Sequence, residues 1–288
     1  MSAGGKRVRG VLVLLACEAV GGKCQQAIDA AIAIEMLHNF TLVHDDVMDN
    51  AALRRGKPTV HERWDKNVAI LSGDEMIALA YQSLLKSPAK RISDVVQTFT
   101  NAFVEVCEGQ GFDKEFELRT KVRVSDYLMM IKKKTARIIS TACETGAIIG
   151  GGKQPHVAAL RSYGNHLGLA FQMKDDLLDI TGDAKEFGKA IGGDIIEGKK
   201  TFLLLKALEC ARGKDKRILQ SMLLRKSRTR AAVDRVRQIY DQVGVLEIAH
   251  AEIVRRTHAA QRALVSLKPS HAKQMLLWLS DQLLGRSN

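Results

Sequence analysis

The chain has 288 residues, which is enough for one large domain or two ordinary ones with a substantial core. Hydrophobic residues make up 46% of it and prolines number four, which favours a globular, helix-rich protein, and no apolar run reaches the roughly 18 residues of a membrane span. The 44 basic and 32 acidic residues give a net charge of +12, which suits anionic partners, but no nucleic-acid-binding motif accompanies it.

The start of the chain and its cysteines indicate where the protein works. The first residues include basic side chains but no apolar stretch followed by a cleavage site, so they do not resemble a signal peptide. Five cysteines, an odd number without metal-ligand spacing, fit reduced thiols. The sequence therefore predicts a cytoplasmic protein without a transmembrane segment.

Helical periodicity runs through nearly the whole chain, and no segment shows the alternation of a strand. Ser125 is predicted to cap one helix, and the segment 182–200, rich in glycine and lysine, is the most loop-like part. We therefore predict an all-α fold, a large single-domain helical bundle over residues 1–288. The predicted helices cover residues 11–20, 25–49, 67–85, 94–116, 125–150, 157–180 and 202–210, with more beyond 216.

Three carboxylates stand at the end of the second predicted helix. Asp45 and Asp49 are four residues apart, so on a helix they share one face, about 6 Å apart along the axis. Like charges in this arrangement repel each other, whereas a divalent cation that bridges them to a ligand turns repulsion into attraction. The same spacing returns at Asp175, Asp176 and Asp179, behind another apolar run. Two triplets of identical spacing in one chain are strong evidence for metal-ligand sites.

Three basic segments accompany the triplets, at residues 4–9, 54–61 and 188–200. The first can be a solvated terminus, and the second can neutralise the carboxylates directly. Alternatively, these segments hold phosphate groups, with glycines giving backbone access and lysines and arginines giving charge.

Carboxylates and cations of this kind fit one class of ligand. Mg²⁺ prefers one or two carboxylates together with substrate phosphates and water, and nearby cations contact the same phosphates. Two unit charges about 4 Å apart interact by roughly 4 kcal/mol at an effective dielectric near 20. Several such charges stabilise the departure of one diphosphate as a leaving group, and a central apolar cavity in the bundle suits a hydrocarbon chain.

Six motifs together make the chain resemble the trans-isoprenyl (polyprenyl) diphosphate synthase family, and more closely its short-chain geranylgeranyl and farnesyl diphosphate synthases. The resemblance spans residues 3 to about 205 in the family's order. It implies an all-α homodimer of the isoprenoid synthase type, with three Mg²⁺ ions per active site. The reaction it implies joins isopentenyl diphosphate head to tail to an allylic diphosphate. The motifs are GGKRVR, HNFTLVHDDVMD, RRGKPTVH, the Lys134-Thr135 pair, FQMKDDLLD and the GK…GGD…EGKKT segment.

The resemblance also implies roles for individual residues. Metal ligands on the allylic diphosphate are expected at Asp45, Asp49 and Asp175, supported by Asp46, Asp176 and Asp179. The cations expected to hold that diphosphate are Arg54, Lys134, Lys189 and Lys199. The reacting carbons would be lined by Thr135 and Gln172.

A second anion site is implied for isopentenyl diphosphate, which needs no metal. Ionisation of the allylic substrate gives a cation, and the isopentenyl double bond attacks it. A proton is then lost to the released diphosphate, since no side-chain base is evident. The residues of this second site would be Lys6, Arg9, His38 and Arg55.

Other polar residues near the motifs receive lesser roles. His44 and His61 are expected to be structural. Asp74 and Asp194 can support a metal site or cap a helix, and Asp194 is the better candidate because it lies in the lysine-rich loop.

Two features depart from the family's pattern. Gly10 stands where proline commonly follows the basic motif, which we expect to change only the turn. The chain also begins almost on that motif, whereas family members usually have one or two helices before it. An N-terminal helix or helices are therefore expected to be missing.

Product length is predicted from the two residues that lie about one turn before Asp45. In related short-chain enzymes, aromatic residues at both positions floor the pocket; here Phe40 is bulky and Thr41 is small. A fifteen- or twenty-carbon product is expected rather than a forty-carbon one. Geranylgeranyl diphosphate is preferred, with farnesyl diphosphate or a longer product as the alternative.

Three other function classes remain open. A terpene cyclase shares the helical fold but needs no second diphosphate site, and two separate basic motifs argue against it. A non-catalytic partner subunit would be expected to have lost one acidic triplet, and both are present. A nucleic-acid-binding module rests only on the net charge.

Overall fold

The fold is seen in a computed structural model that describes residues 5–88, 90–182, 192–224 and 229–285. Within these residues the protein is all-α, as predicted, apart from one antiparallel pair of strands, β1 (Leu53–Arg54) and β2 (Lys57–Pro58). The helices are α1 (Val8–Ala19), α2 (Ile28–Met48), α3 (Val60–Arg63), α4 (Lys66–Leu84), α5 (Ile92–Leu118), α6 (Val124–Ile131), α7 (Arg137–Ile149), α8 (Gln154–Thr181), α9 (Gly193–Glu197), α10 (Phe202–Cys210), α11 (Gly213–Leu224), α12 (Arg230–Gln242), α13 (Val245–Ala263) and α14 (His271–Gly285).

The residues group into two compact units. Unit 1 consists of Met1–Phe103, Ile138–Gly164 and Leu264–Leu276, and unit 2 consists of Val104–Arg137, Asn165–Ala263 and Leu277–Asn288. The prediction of one domain over residues 1–288, with a central apolar cavity, stays a prediction.

Unit 1 is built on α2, which packs against α1 and α4. Ala30, Ile34 and Leu37 on α2 are fully buried, and burying a side chain such as leucine contributes about 1.5–3 kcal/mol. The start of α4 is fixed by Asp65, whose carboxylate accepts hydrogen bonds from the N–H groups of Asn67 at 2.7 Å and Val68. The last turn of α2, which carries the first acidic triplet, therefore belongs to a helix that is packed along its length.

Unit 2 is organised around α10, which packs against α6, α11, α12 and α13. Three consecutive leucines, Leu203, Leu204 and Leu205, are all buried. This is possible because α10 is surrounded on several sides rather than covered on one face. Thr201 is the N-cap position of this helix. The lysine pair that precedes Thr201 is thus attached directly to the core of the unit.

The observed helices match the predicted ones to within about three residues, but one cap was predicted wrongly. Ser125 does not cap α6, which begins one residue earlier, at Val124, with Arg123 as its N-cap residue. The carboxylate of Asp126 instead accepts a hydrogen bond from the Arg123 N–H at 2.9 Å. Ser125 therefore lies inside the first turn.

The expectation of no strands was wrong at residues 53–58. Arg54 pairs with Lys57, and the two residues between them have positive φ angles, 54° at Arg55 and 74° at Gly56. Two consecutive positive φ values define the type I′ turn that suits a two-residue hairpin. Strands of two residues are too short to show an alternating pattern, so the sequence carried no sign of them.

In the part of the chain that the structure describes, no helix is both long and apolar enough to cross a membrane.

Candidate active site

The first acidic triplet occupies the C-terminal end of α2 in unit 1. Asp49 is the C-cap residue and is exposed, Asp45 is half-buried, and Asp46 is only 5% exposed. The guanidinium of Arg54, on β1, reaches Asp46 with Nε at 2.7 Å and Nη2 at 2.6 Å from the same carboxylate oxygen. Arg54 therefore neutralises a carboxylate directly, which is the simpler of the two interpretations of this basic segment.

His38 lies two turns before Asp45 on α2, among several cations of unit 1. Burial, followed by the charges of Arg9, Arg55, Arg54 and Arg7, lowers the pKa of His38 to about 3. The ring is consequently neutral at physiological pH and can still donate or accept a hydrogen bond. Three residues predicted for the isopentenyl diphosphate site, at positions 9, 38 and 55, are thus brought together.

Arg55 adopts a backbone conformation that is uncommon for a residue with a side chain, with φ at 54°. The hairpin requires it, and the conformation directs the guanidinium towards the start of the chain. A Cβ atom added to Gly5 would lie 2.6 Å from Arg55 Nη1, so the guanidinium rests against Gly5. Lys6, the fourth predicted residue of this site, follows Gly5 and is exposed.

Phe40 and Thr41, the predicted determinants of product length, differ in their surroundings. Phe40 is buried and packs on the rings of His44, at 4.6 Å between centroids, and Phe103, at 5.4 Å edge to face. Such aromatic pairs add about 0.5–1.5 kcal/mol beyond the burial of area. The hydroxyl of Thr41 donates to the His38 carbonyl at 2.8 Å, inside its own helix. Phe40 is therefore a fixed, bulky side chain, and Thr41 is a small one.

In unit 2, the segment Lys132–Ala136 forms a π-helical turn between α6 and α7. A π-turn inserts an extra residue into a helix and often occurs at functional sites. Gly109 of α5 lies directly against this turn, since an added Cβ would be 2.8 Å from Lys134 Cα and 2.9 Å from the Lys133 carbonyl carbon. Only glycine at this position allows the π-turn to pass so close to α5.

Two of the three lysines of the π-turn pair with carboxylates of α5. Lys134 Nζ lies 2.6 Å from Asp113 Oδ2, and Lys133 forms an ion pair with Glu108. Lys134 is thus the one of the three consecutive lysines that lines the pocket described below, and Asp113 holds it there.

A chain of hydrogen bonds links the π-turn to the second acidic triplet. The Thr135 hydroxyl donates to Gln172 Oε1 at 2.9 Å, and Gln172 Nε2 donates to Asp176 Oδ1 at 2.9 Å. The Tyr127 hydroxyl donates to the other oxygen of Asp176 at 2.5 Å. Both oxygens of this buried carboxylate therefore have a donor, and its orientation is fixed.

Asp179 of the triplet lies beside α9. The Asp194 N–H donates to Asp179 Oδ2 at 3.1 Å, and the Asp194 carboxylate lies 3.4 Å from Lys199 Nζ. Burial of Lys199 lowers its pKa, but the carboxylates of Asp194 and Glu197 outweigh burial, so the net pKa is raised. Lys199 is therefore charged, and its partners are carboxylates.

The pKa values of the triplet reflect crowded negative charge. Burial and the charge of Asp194 raise the pKa of Asp179 to about 6. Burial and the same charge raise the pKa of Asp176, against the hydrogen bonds from Tyr127 and Gln172. A bound cation would relieve this repulsion.

These residues of unit 2 surround a pocket of about 110 Å³. Its lining combines carboxylates, three lysines and hydroxyl and amide groups with a few apolar side chains. The lining residues are Asp113, Tyr127, Met130, Ile131, Lys134, Thr135, Gln172, Asp176, Asp194, Lys199, Lys200 and Thr201.

The other predicted residues fall outside this pocket. Asp175 is half-buried on α8 beside Asp176. Lys189 lies outside the described residues. His44 Nε2–H donates to the Ile70 carbonyl at 3.2 Å, in keeping with the expected structural role. His61 is buried, 3.3 Å from the Thr59 hydroxyl, and Asp74 is largely exposed, 3.9 Å from His44.

Two pocket residues, Tyr127 and Asp113, were not singled out from the sequence. Tyr127 precedes Lys134 by seven residues, which is two helical turns, so the two share a face of their helix. That spacing could have pointed to Tyr127. Asp113 lies on a different helix from its partner, and no sequence spacing predicts that contact.

The donor set fits Mg²⁺. Carboxylates that burial and mutual repulsion push towards protonation are favourable partners for a divalent cation. Among the described ranges, no three His, Cys, Asp or Glu side chains come together as a metal-binding group. Mg²⁺ takes one or two carboxylates and completes its shell with substrate phosphates and water.

Fold and site together define a class of protein: an all-α protein whose two Asp-rich helix motifs, each beside cations, suit a metal-bound diphosphate. A family model described as polyprenyl synthetase matches residues 1–243. The chain belongs to the polyprenyl synthetase family and is an enzyme of that family.

Known relatives match nearly the whole chain. A short chain isoprenyl diphosphate synthase of Methanothermobacter thermautotrophicus is 40% identical, over 100% of this chain and 88% of the relative. A geranylgeranyl diphosphate synthase of Methanosarcina mazei is 37% identical, over 99% of this chain and 87% of the relative. The crystal structure of geranylgeranyl pyrophosphate synthetase from Pyrococcus horikoshii aligns with a TM-score of 0.94 at 37% identity, covering 99% of this chain and 87% of that one.

Proposed function

We propose that the protein is a trans-prenyltransferase that condenses isopentenyl diphosphate with an allylic diphosphate and makes geranylgeranyl diphosphate. One observation carries the proposal. Unit 1 gathers arginines around a neutral His38, and unit 2 holds lysines beside carboxylates. A condensing enzyme needs two anion sites of different character, one with a metal and one without, whereas a cyclase needs one.

Cations that now pair with carboxylates would hold the allylic diphosphate. In the proposed complex the diphosphate oxygens compete with Asp46, Asp113 and Asp194 for their partners. A phosphate offers the same kind of acceptor as a carboxylate, so the exchange keeps each cation hydrogen-bonded. The cations are Arg54, Lys134 and Lys199, to which the sequence resemblance adds Lys189.

Mg²⁺ would be held by the two acidic triplets, with three ions proposed per active site. The ligands would be Asp45, Asp49 and Asp175, with Asp46, Asp176 and Asp179 in support. These carboxylates would hold Mg²⁺ where it would supply positive charge to stabilise the leaving diphosphate.

The chain's own residues position the reaction. The bond between the allylic carbon and the diphosphate oxygen breaks, and the diphosphate leaves with the electron pair. The isopentenyl double bond supplies the pair for the new carbon–carbon bond. Thr135 and Gln172, fixed by their hydrogen bonds to each other and to Asp176, face the reacting carbons. The departing diphosphate, held by the lysines, takes the proton that is lost.

Isopentenyl diphosphate would bind to the arginine cluster without a metal. A neutral His38 is an asset there, because it gives a hydrogen bond to a phosphate oxygen at no cost in charge desolvation. Lys6, Arg9 and Arg55 supply the positive charge.

Product length is proposed from the packing of Phe40. Its ring is held between His44 and Phe103, so it can stop a growing chain, while Thr41 leaves room beside it. Two of the relatives described above bear the name geranylgeranyl synthase, which supports a twenty-carbon product. A homodimer and a cytoplasmic location complete the proposal; the five free cysteines support the latter.

The test is an elongation assay. The protein is incubated with Mg²⁺, labelled isopentenyl diphosphate and each of dimethylallyl, geranyl and farnesyl diphosphate in turn, and the products are separated by chain length. Geranylgeranyl diphosphate is expected from all three primers. If folded protein elongates none of them, the proposed function is wrong; a dominant fifteen-carbon or forty-carbon product refutes the proposed length alone.

A further inference from the structure

Glu35 of α2 joins the basic segment at the start of the chain to the helix turn that carries His38. Its carboxylate is only 12% exposed. Oε1 accepts a hydrogen bond from the Gly10 N–H at 2.8 Å, and Oε2 lies 3.8 Å from Arg7 Nη1. Glu35 precedes His38 by three residues, so the two side chains lie on neighbouring parts of one helix face.

This contact replaces the usual cap of α1. Arg7, the N-cap residue, has φ at 50° and makes no side-chain capping hydrogen bond. The first intrahelical bond of α1 is from the Val11 N–H to the Arg7 carbonyl, so the N–H of Gly10 has no acceptor within the helix. A carboxylate at a helix N-terminus satisfies that donor and interacts favourably with the helix dipole. Glu35 therefore caps α1 from another helix.

The cap has a consequence for Arg9. Arg9 lies between the two residues that Glu35 contacts, and among the charges that lower the pKa of His38 it is the largest contributor after burial. Because Glu35 holds the Gly10 backbone on one side of Arg9 and the Arg7 guanidinium on the other, it restrains where the Arg9 side chain starts relative to His38.

Gly10 makes this link possible. The resemblance to known relatives leads one to expect proline at this position, and proline has no N–H to donate. A Cβ at Gly10 would also lie 3.2 Å from Glu35 Cγ, a tight contact. The hydrogen bond thus requires a residue other than proline at position 10, and glycine also avoids the tight contact with Glu35.

We infer that Glu35 is a positioning residue for the isopentenyl diphosphate site and acts through Gly10 and Arg7. It holds the basic segment against the arginine cluster without contacting the substrate. The inference rests on the proposed function, because it assigns that site to isopentenyl diphosphate. We expect the loss of Glu35 to weaken the binding of isopentenyl diphosphate and not that of the allylic substrate.

Four variants separate positioning from a general role in folding. Glu35→Ala removes both contacts, and Glu35→Gln keeps an acceptor for Gly10 but loses the charge facing Arg7. Gly10→Pro removes the N–H and adds a Cβ in tight contact with Glu35 Cγ. Proline is tolerated in the first helical turn, so that variant should fold. Glu18→Gln is the control, since Glu18 is an exposed acid on α1.

The measurements are the Kd for isopentenyl diphosphate by calorimetry without primer, and the KM values for both substrates. For Glu35→Ala we expect the Kd and KM for isopentenyl diphosphate to rise about tenfold. The KM for farnesyl diphosphate should change by less than about twofold. A change this small lies within the scatter of measured binding free energies. Glu35→Gln and Gly10→Pro should each raise the Kd about threefold, and Glu18→Gln should change nothing. Glu35→Ala combined with Gly10→Pro should match Glu35→Ala alone, because both remove the same bond.

An unchanged Kd in folded Glu35→Ala, or equal losses for both substrates, overturns the inference. If Glu35→Ala does not fold, the other two variants decide, and an unchanged Kd in both overturns it equally. Failure of the proposed function looks different: the wild-type protein would then neither bind isopentenyl diphosphate nor elongate a primer.

Discussion

Gly109→Ala tests whether the close approach of α5 to the π-turn positions the reactive residues. The added Cβ would lie 2.8 Å from Lys134 Cα and 2.9 Å from the Lys133 carbonyl carbon. Carbon atoms in ordinary contact are about 3.5–4.0 Å apart, so the helix and the turn must separate by roughly 1 Å. Overpacking of this kind costs about 1–3 kcal/mol. The same displacement moves Lys134 and Thr135, and a 1 Å error in position can cost about 100-fold in rate.

Gly111→Ala is the matched control. Gly111 lies on the same helix as Gly109, and a Cβ added to Gly111 would have open space around it, with no neighbouring atom within 4 Å. Both substitutions gain about 1 kcal/mol of helix propensity, so this gain cancels in the comparison. Urea unfolding followed by circular dichroism should find Gly109→Ala less stable than Gly111→Ala by about 1–3 kcal/mol. The elongation assay should find kcat/KM lower in Gly109→Ala alone. If the two variants are equally stable and equally active, the π-turn does not depend on this contact.

Three further predictions concern other parts of the site. Tyr127→Phe leaves one oxygen of Asp176 without its donor and should lower the free energy of unfolding by about 1–3 kcal/mol in urea titrations; no loss would contradict the hydrogen bond. Because the folded pKa of His38 is about 3, the unfolded chain binds its proton first as pH falls, so stability declines below pH 6.5. Between pH 7.5 and 5 the free energy of unfolding should fall by up to about 2 kcal/mol more in the wild type than in His38→Gln. Equal decreases in the two proteins would refute this. Phe40→Ala should lengthen the product and Thr41→Phe should shorten it, and unchanged chain lengths in both would remove these residues from the pocket floor.

Local signals predicted the helical framework well. Periodicity located the long helices, whereas the hairpin at residues 53–58 was not predicted, because its strands are too short to show an alternating pattern. The Ser125 cap failed because the helix began one residue earlier than the pattern suggested, where Asp126 provided the capping oxygen. Helix ends depend on one or two hydrogen bonds and are the least certain part of any such prediction.

The candidate site could be predicted only where its residues carry a motif. The aspartate triplets and lysine-rich loop are visible as sequence patterns. By contrast, Asp113, Tyr127 and Glu35 act through partners on other helices, and their contacts arise from packing. The π-turn at Lys132–Ala136 was equally hidden, since it lies against Gly109 of α5 and that contact leaves no pattern in the sequence of the turn itself.

The central claim is that two diphosphate substrates react together, and the release of diphosphate tests it most directly. Farnesyl diphosphate and Mg²⁺ are mixed with the protein, with and without labelled isopentenyl diphosphate, and both released diphosphate and incorporated label are counted. The account predicts release only when isopentenyl diphosphate is present, with one diphosphate released for each isopentenyl unit incorporated. Rapid release from farnesyl diphosphate alone, with no label incorporated when both are present, would contradict it.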